Sequence, residues 1–155
     1  MENFVIRKGT KEDAPVIVDF SNRLAWETED KKLDLKLVNK GVLRAFDYPK
    51  WAEYFVVEDN GKVVGMLMVT HEMSAMLGGR IDWIQSVYVL AEYRKKGVFR
   101  RLYQHVYDTA KADPIVKAVR LYVETTNEVA MKVYEKMGMS NIADGYNFNE
   151  TDFYA

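Results

Sequence analysis

The sequence predicts a single mixed α/β (α+β) domain covering residues 1–155. Three observations support this class. The chain has 155 residues, 48% hydrophobic and 29% charged, which is the composition of one ordinary globular domain. Its hydrophobic pattern runs strand, two helices, several strands, helix, strand, helix, strands, with no repeat or linker. The segment from residue 80 to residue 125 reads as strand, helix, strand, long enough to join two parallel strands.

The first half predicts one strand, two helices and a hairpin. Residues 4–7 are β-prone, and Thr10-Lys11-Glu12-Asp13 has the spacing of a helix start. Apolar residues then recur every three or four positions in two helical stripes, namely Val16, Ile17, Phe20 and Leu24, and Leu35, Val38, Val42 and Phe46. Two strand-like runs, 54–57 and 63–69, flank Asn60-Gly61, a pair that favours the positive φ angles of a tight hairpin.

The second half alternates in the same way. Residues 80–89 predict a strand, and a helical stripe follows at Phe99, Leu102, Tyr103, Val106 and Ala110, ended by Asp113-Pro114. Residues 119–123 alternate as a strand, and a helix is predicted from Asn127 to Gly138. The aromatic tail, 139–155, predicts one or two closing strands.

Composition excludes several classes of function. The chain has no cysteine, which excludes disulfides and thiolate metal sites and fits a reducing compartment. Its net charge of −1 is too small to drive binding to nucleic acid or a membrane surface. The two histidines are too far apart in sequence for a paired helical metal motif, and no apolar run could span a bilayer. We therefore expect a soluble cytoplasmic protein without a metal.

The basic loop before the third helix is the best candidate for a binding site. A helix that begins at Gly97 or Val98 presents unpaired backbone N–H groups to an anion. Cationic side chains surround this point: Arg94, Lys95, Lys96, Arg100 and Arg101. A pyrophosphate would fit here, although a basic run of this kind taken alone is more often a solvated turn. No Walker loop or dinucleotide fingerprint is present, which argues against ATP and NAD.

Two motifs in this sequence resemble those of the GNAT superfamily of N-acetyltransferases. The first is Arg94-Lys95-Lys96-Gly97-Val98-Phe99, in which Arg94 and Gly97 match the acetyl-CoA signature and Phe99 departs from the Gly or Ala of its last position. The second is Asn127 to Met139, which is similar to the family's pattern of Asn, Ala, Tyr and Gly on the last helix. Their spacing and order agree, and the resemblance covers the whole chain.

The resemblance implies a fold and a set of binding residues. It implies a central mixed, mostly antiparallel sheet of six or seven strands flanked by four helices and split between the fourth and fifth strands. The pantetheine arm of acetyl-CoA, the co-substrate, would enter this split. It would meet Val87, Tyr88 and Val89 on one side and Asn127 and Ala130 on the other. The amides of Lys95, Lys96, Gly97, Val98, Phe99 and Arg100 would hold the pyrophosphate.

The resemblance also implies catalytic roles. Tyr134 would donate a proton to the departing thiolate, and the N–H of Val89 would polarise the thioester carbonyl. Many relatives place a glutamate where this sequence has Gln85, which can orient an amine or a water but cannot take a proton. The base is therefore open: a water chain, or a carboxylate of Asp82, Glu124 or the segment 27–30. The acidic segment and His71, Trp26 and Trp83 could also serve the acceptor, or be ordinary surface and core residues.

The leading hypothesis is an N-acetyltransferase that moves the acetyl group of acetyl-CoA to a primary amine of a small molecule or peptide by direct attack in a ternary complex. One alternative acceptor is a protein N-terminus or a lysine side chain. Another alternative is a non-catalytic acyl-CoA-binding sensor, which Gln85 and Phe99 keep open. A longer acyl donor and pairing of the aromatic tail across a homodimer also stay open.

Overall fold

The protein forms five strands and four helices in a computed structural model that describes residues 3–143 and 145–154. The elements are β1 (Phe4–Lys8), α1 (Ala14–Glu29), α2 (Leu35–Asp47), β2 (Ala52–Asp59), β3 (Lys62–Ser74), β4 (Gly79–Val89), α3 (Val98–Ala112), β5 (Val116–Arg120) and α4 (Glu128–Lys136). The chain divides into two compact units, Met1–Leu121 and Tyr122–Ala155. The first holds all five strands and α1–α3, and the second holds α4. That residues 1–155 act as one domain stays a prediction.

The strands form one sheet in the order β1-β2-β3-β4-β5. The first four are antiparallel neighbours, and β4 and β5 are parallel, joined by the crossover through α3. Asn60 and Gly61, with φ angles of 49° and 83°, make the tight turn between β2 and β3. The predicted fold class, a mixed and mostly antiparallel sheet with four helices, is confirmed.

Side-chain hydrogen bonds order the turn before α1 and cap the start of α2. Asp13 accepts from the Thr10 N–H at 2.7 Å and from both terminal nitrogens of Arg7 at 2.8 Å, so it ties β1 to the start of α1. The Arg7 hydrogen bond holds the pKa of Asp13 below its usual range, against the effect of burial. Asp34 accepts from the N–H groups of Lys36 and Leu37 at the start of α2.

Helices cover both faces of the sheet. On one face Phe20 of α1 lies against Tyr88 of β4, with ring centroids 5.2 Å apart. On the other face Phe55 of β2 meets His105 of α3 edge to face at 5.3 Å. The largest fully buried side chains lie between these layers: Ile17, Met66, Leu67, Ile81, Leu102, Val56, Val57, Val64, Val69 and Val98. The sheet therefore has a core on each face.

The C-terminal prediction is wrong in two respects. The sequence predicts six or seven strands, but none forms in residues 139–143 or 145–154, and residue 144 lies outside the described residues. Most of the tail's large aromatic side chains are exposed, Phe153 by 96%, so no apolar layer orders the tail as a strand. In addition, β5 covers Val116–Arg120 rather than 119–123, because Arg80 of β4 pairs with Val116 as soon as the chain has turned at Asp113-Pro114.

None of the helices in the described part of the chain is both long and apolar enough to cross a membrane.

Candidate active site

The second half of β4 has an open edge. β5 pairs with β4 only from Arg80 to Trp83, and no other described strand takes its place beside residues 84–89. Leu90 donates its N–H to the Val64 carbonyl of β3 at 2.9 Å. Because hydrogen-bonding direction alternates along a strand, Tyr88 also faces β3, and Val87 and Val89 turn their main-chain groups to the open edge. Two of the three residues that the resemblance assigns to the pantetheine arm, Val87 and Val89, thus face the open edge, whereas the main chain of Tyr88 faces β3.

A β-bulge lies at the inner end of the open edge. Ser86 is opposite Met68 and Ile84 is opposite Val69, so Gln85 is the extra residue of β4. A bulge bends its strand and increases the local twist. The Gln85 side chain is exposed, and its Nε2 donates to Thr70 Oγ1 at 3.0 Å. The carboxamide is thus held on the sheet surface beside the open edge.

Beyond β4 the chain forms an amide-rich turn before α3. Lys95 and Gly97 have left-handed φ angles of 62° and 79°, and α3 begins at Val98. A Cβ on Gly97 would meet nothing within 4 Å, so glycine is used here for its conformation. The helical bonds start with Arg101 N–H to Gly97 O, which leaves the N–H groups of residues 98–100 without a helical acceptor. This turn suits the pyrophosphate of a coenzyme A molecule.

The basic side chains of the turn have different roles. Arg101 turns back to β1, where its guanidinium lies 5.7 Å from the ring centroid of Phe4 and donates to the Phe4 carbonyl. Lys95, Lys96 and Arg100 are exposed. Positive charge therefore surrounds the amides while one arginine anchors the helix to the sheet.

Arg94 joins three elements of the first unit. Its Nε donates to the Val89 carbonyl at 2.9 Å, on the open edge, and a terminal nitrogen donates to Glu27 Oε1 of α1 at 2.7 Å. The hydroxyl of Tyr88 donates to the other oxygen of Glu27. The Tyr88 and Arg94 hydrogen bonds lower the pKa of Glu27, which makes it a weak proton acceptor. The acidic segment that the sequence offers as an alternative base thus has its first carboxylate engaged.

A second tether holds the turn from the other side. Tyr93 donates its hydroxyl to Asp59 Oδ2 at 2.9 Å, and Lys96 Nζ lies 5.5 Å from the Tyr93 ring centroid. Asp59 belongs to the β2–β3 hairpin. Sequence reasoning missed the Tyr93–Asp59 pair. The two residues are 34 positions apart in sequence, and they meet because the β2–β3 hairpin lies beside the turn at 91–93.

Asp82 is another alternative base. It lies in a buried ionic cluster, on the face of the sheet opposite to that of Tyr88. His71 Nδ1 lies 2.7 Å from Asp82 Oδ1, and Arg80 Nε donates to the same oxygen at 2.8 Å. Burial raises the pKa of Asp82, but the hydrogen bonds from His71 and Arg80 outweigh it and hold that pKa below its usual range. Asp82 is therefore a poor proton acceptor and serves as a structural ion-pair partner.

In the second unit, the residues of the last motif begin and build α4. Asn127 is its N-cap, and its Oδ1 accepts from the Ala130 N–H at 3.1 Å. Tyr134 lies one turn further along, and burial raises the pKa of its phenol. A raised pKa keeps this hydroxyl protonated at neutral pH, as a proton donor requires.

Comparison with known proteins agrees with this architecture. Residues 19–139 match the family model described as the acetyltransferase (GNAT) family. A possible acetyltransferase from Clostridium difficile 630 has a crystal structure similar to this chain, with 36% identity and a TM-score of 0.89 over 96% of this chain and 97% of that one. The chain belongs to the GNAT acetyltransferase family.

Two more distant structures share the fold. A ribosomal-protein-alanine N-acetyltransferase from Brucella melitensis biovar Abortus 2308 is 17% identical, with a TM-score of 0.76 over 96% of this chain and all of that one. An aminoglycoside N-acetyltransferase in complex with CoA is 14% identical, with a TM-score of 0.75 over all of this chain and 95% of that one. Among curated proteins, none matches this sequence.

Proposed function

We propose that this protein is a cytoplasmic N-acetyltransferase that transfers the acetyl group of acetyl-CoA to a primary amine of a small molecule or peptide, by direct attack in a ternary complex. The observation that carries the proposal is the open edge of β4, which runs directly into the left-handed turn and the first-turn amides of α3. One continuous surface thus offers main-chain partners for an extended arm and N–H groups for a pyrophosphate.

The open edge has a suitable length for the donor. Residues 84–89 span about 20 Å at roughly 3.3 Å per residue. With the pyrophosphate on the amides of 95–100, the pantetheine arm would pair with Val87 and Val89 and its thioester would lie beside the Gln85 bulge. Pairing through the Val89 carbonyl requires Arg94 to release it, whereas pairing through Val87 does not. We also assign Asn127 and Ala130 to the binding of acetyl-CoA.

For the transfer, the protein has to position the amine against the thioester and to supply one proton to the departing thiolate. The amine nitrogen forms a bond to the carbonyl carbon, the C–S bond breaks, the nitrogen loses a proton and the thiolate sulfur gains one. Tyr134 would supply that proton, and the N–H of Val89 would polarise the carbonyl. Gln85 would orient the amine or a water. Glu27 and Asp82 are engaged, so the amine's proton would pass to a water chain or to a carboxylate of Glu29, Asp30 or Glu124.

Calorimetric titration with acetyl-CoA and with free CoA tests the donor site. We expect micromolar binding, about −8 kcal/mol. Thiol release on addition of primary amines then tests turnover. If neither ligand binds at millimolar concentration, the proposal is wrong.

Replacing Tyr134 with Phe tests the proton donor. We expect kcat to fall by about a hundredfold, within the range of general acid catalysis, with the Kd for acetyl-CoA nearly unchanged. In the parent protein kcat should also fall as pH rises above about 10, because the phenol must stay protonated and its pKa is raised. Tyr107→Phe, an exposed tyrosine of α3, is the control. An unchanged kcat in Tyr134→Phe removes Tyr134 from this role.

A non-catalytic acyl-CoA sensor is the second candidate. It is favoured by Gln85, which cannot accept a proton and whose amide is bonded to Thr70. Binding of acetyl-CoA without thiol release by any small amine, or by peptides presenting an N-terminus or a lysine, would support the sensor over both enzyme readings.

A further inference from the structure

We infer that Arg120 binds a carboxylate of the acceptor, so that the preferred substrate is an amine that also carries a carboxylate, such as an amino acid. The inference rests on the proposed function, because it places the acceptor beside the donor's thioester.

Arg120 stands where the open edge of β4 ends. It is the last residue of β5, and its register partner is Trp83. Immediately beyond this pair, at residues 84–86, the proposed thioester lies. A group held by Arg120 is therefore within a few bonds of an amine that attacks the thioester, since neighbouring strand residues are about 3.3 Å apart.

The guanidinium of Arg120 is positioned but carries no carboxylate. Its Cζ lies 5.8 Å from the ring centroid of Trp83, whose Nε1 donates to Glu72 at 3.3 Å and so fixes the indole. No Asp or Glu among residues 3–143 and 145–154 lies within 4.0 Å of the Arg120 nitrogens. Four of the seven other arginines have such a partner, namely Arg7, Arg23, Arg80 and Arg94.

An arginine in a cation–π contact is suited to carboxylate recognition. The contact restrains the guanidinium, and its N–H donors match the two oxygens of a carboxylate. The restraint also reduces the side-chain entropy lost when the ligand binds. A half-buried cation beside the thioester would in turn repel an acceptor that carries only positive charges.

The same face of the sheet is accessible to an acceptor. Thr70 is the register partner of Trp83 and lies two positions beyond Met68 on β3, so Trp83 shares the face of Tyr88. Phe20 of α1 covers Tyr88, but Thr70 and Trp83 are only half-buried and Gln85 is exposed. The acceptor can therefore reach Arg120 and the bulge from the side of α1.

The test compares acceptors that differ only in the carboxylate. Thiol release is measured with a panel of free amino acids and with the same amino acids as carboxamides. We expect kcat/KM for the best acids to exceed that of their amides by about tenfold or more, because a site built for a charged partner discriminates against its loss. In Arg120→Met the preference should disappear through loss of activity on the acids alone, and Arg120→Lys should keep part of it.

Lys117→Met is the matched control. Lys117 is an exposed cation on the same strand, three residues away and therefore on the opposite face, and the acid preference should survive its loss. No preference in the parent protein, or an equal loss on acids and amides in Arg120→Met, overturns the inference.

Calorimetry with acetyl-CoA separates this result from failure of the proposed function. If the parent protein does not bind acetyl-CoA, the proposed function fails. If it binds acetyl-CoA and acetylates amines without discrimination, only the role of Arg120 fails. Thermal unfolding of Arg120→Met and Arg120→Lys checks that both variants are folded; we expect cooperative transitions like that of the parent protein.

Discussion

The two halves of β4 belong to one strand and yet have opposite surroundings. From Arg80 to Trp83 the strand is paired on both sides, and Asp82 is buried between His71 and Arg80. From Ile84 to Val89 its one neighbour among the described strands is β3, and a bulge at Gln85 separates the halves. The first half completes its hydrogen bonds within the protein, and the second keeps some for a ligand.

This contrast shows how one strand can serve both stability and binding. A fully paired strand has no main-chain groups left to bind a ligand. An open edge can bind one, but without a ligand it can also pair with another chain. Ending the β4–β5 pairing at Trp83 and Arg120 divides the two tasks within eleven residues. The predictions below act on one half and leave the other unchanged.

Asp82→Ala should have the largest effect and act on the paired half. Removing one partner of a buried ionic cluster leaves His71 and Arg80 without their acceptor and costs about 3–5 kcal/mol of unfolding free energy. Urea denaturation measures this loss. Asp113→Ala is the control, because Asp113 lies 3.6 Å from the same arginine but is much more exposed, and should change stability little. Equal stability of the Asp82 variant and its parent would contradict the buried role.

Gly97→Trp should abolish donor binding at the open half. The residue would be strained at a φ of 79° and its indole would cover the amides, so we expect the Kd for acetyl-CoA to rise about a hundredfold or more. Gly78→Trp is the matched control, with a φ of 74° and equally open space, in the turn between β3 and β4. It should lose similar stability and keep its affinity. Comparable affinity loss in both variants would refute the pyrophosphate site.

Tyr93→Phe should have a smaller effect, on the position of the turn. Losing the hydrogen bond to Asp59 should raise the KM for acetyl-CoA about threefold and leave kcat unchanged, because the loop is loosened but the reacting groups are not touched. Tyr146→Phe, an exposed tyrosine of the tail, should change neither constant. A fall in kcat at unchanged KM would exclude a role in binding.

The smallest effect concerns acid stability. The folded-state pKa of Asp82 is lowered, so its contribution is present above the unfolded value of about 4 and is lost as pH falls through the lower folded value. The unfolding free energy of the parent should therefore decline more steeply below about pH 4 than that of Asp82→Asn. Denaturant melts between pH 5 and pH 2.5 measure the two slopes, and identical slopes would exclude Asp82 as a source of acid sensitivity.

Local patterns predict much of the fold. The helical stripes give α1 and α2, Asn60-Gly61 gives the β2–β3 turn, and the capping residue Asp34 marks the start of α2. The closing strands that the same reasoning predicts for the tail do not form in residues 139–143 and 145–154. An alternating aromatic tail has strand periodicity, but it becomes a strand only where a neighbouring edge pairs with it and a surface covers its side chains.

The candidate site is predictable in part. Gly97 and the basic run mark the amide turn, because a helix start needs a defined backbone geometry. The bulge at Gln85 is set by the register with β3, and the Arg94–Glu27 pair joins residues 67 positions apart in sequence. The cation–π contact of Arg120 with Trp83 likewise depends on the parallel register of β4 with β5.

The hydrogen bond from Arg94 to the Val89 carbonyl has a consequence for the protein's behaviour in concentrated solution. Six residues of unpaired β-edge are a template on which a second chain could add a strand and begin to aggregate. A cationic side chain laid on that edge occupies one acceptor and places charge where another strand would have to approach. Without ligand, self-association should therefore be slow rather than absent. Coenzyme A in the purification buffer should suppress it by occupying the open edge.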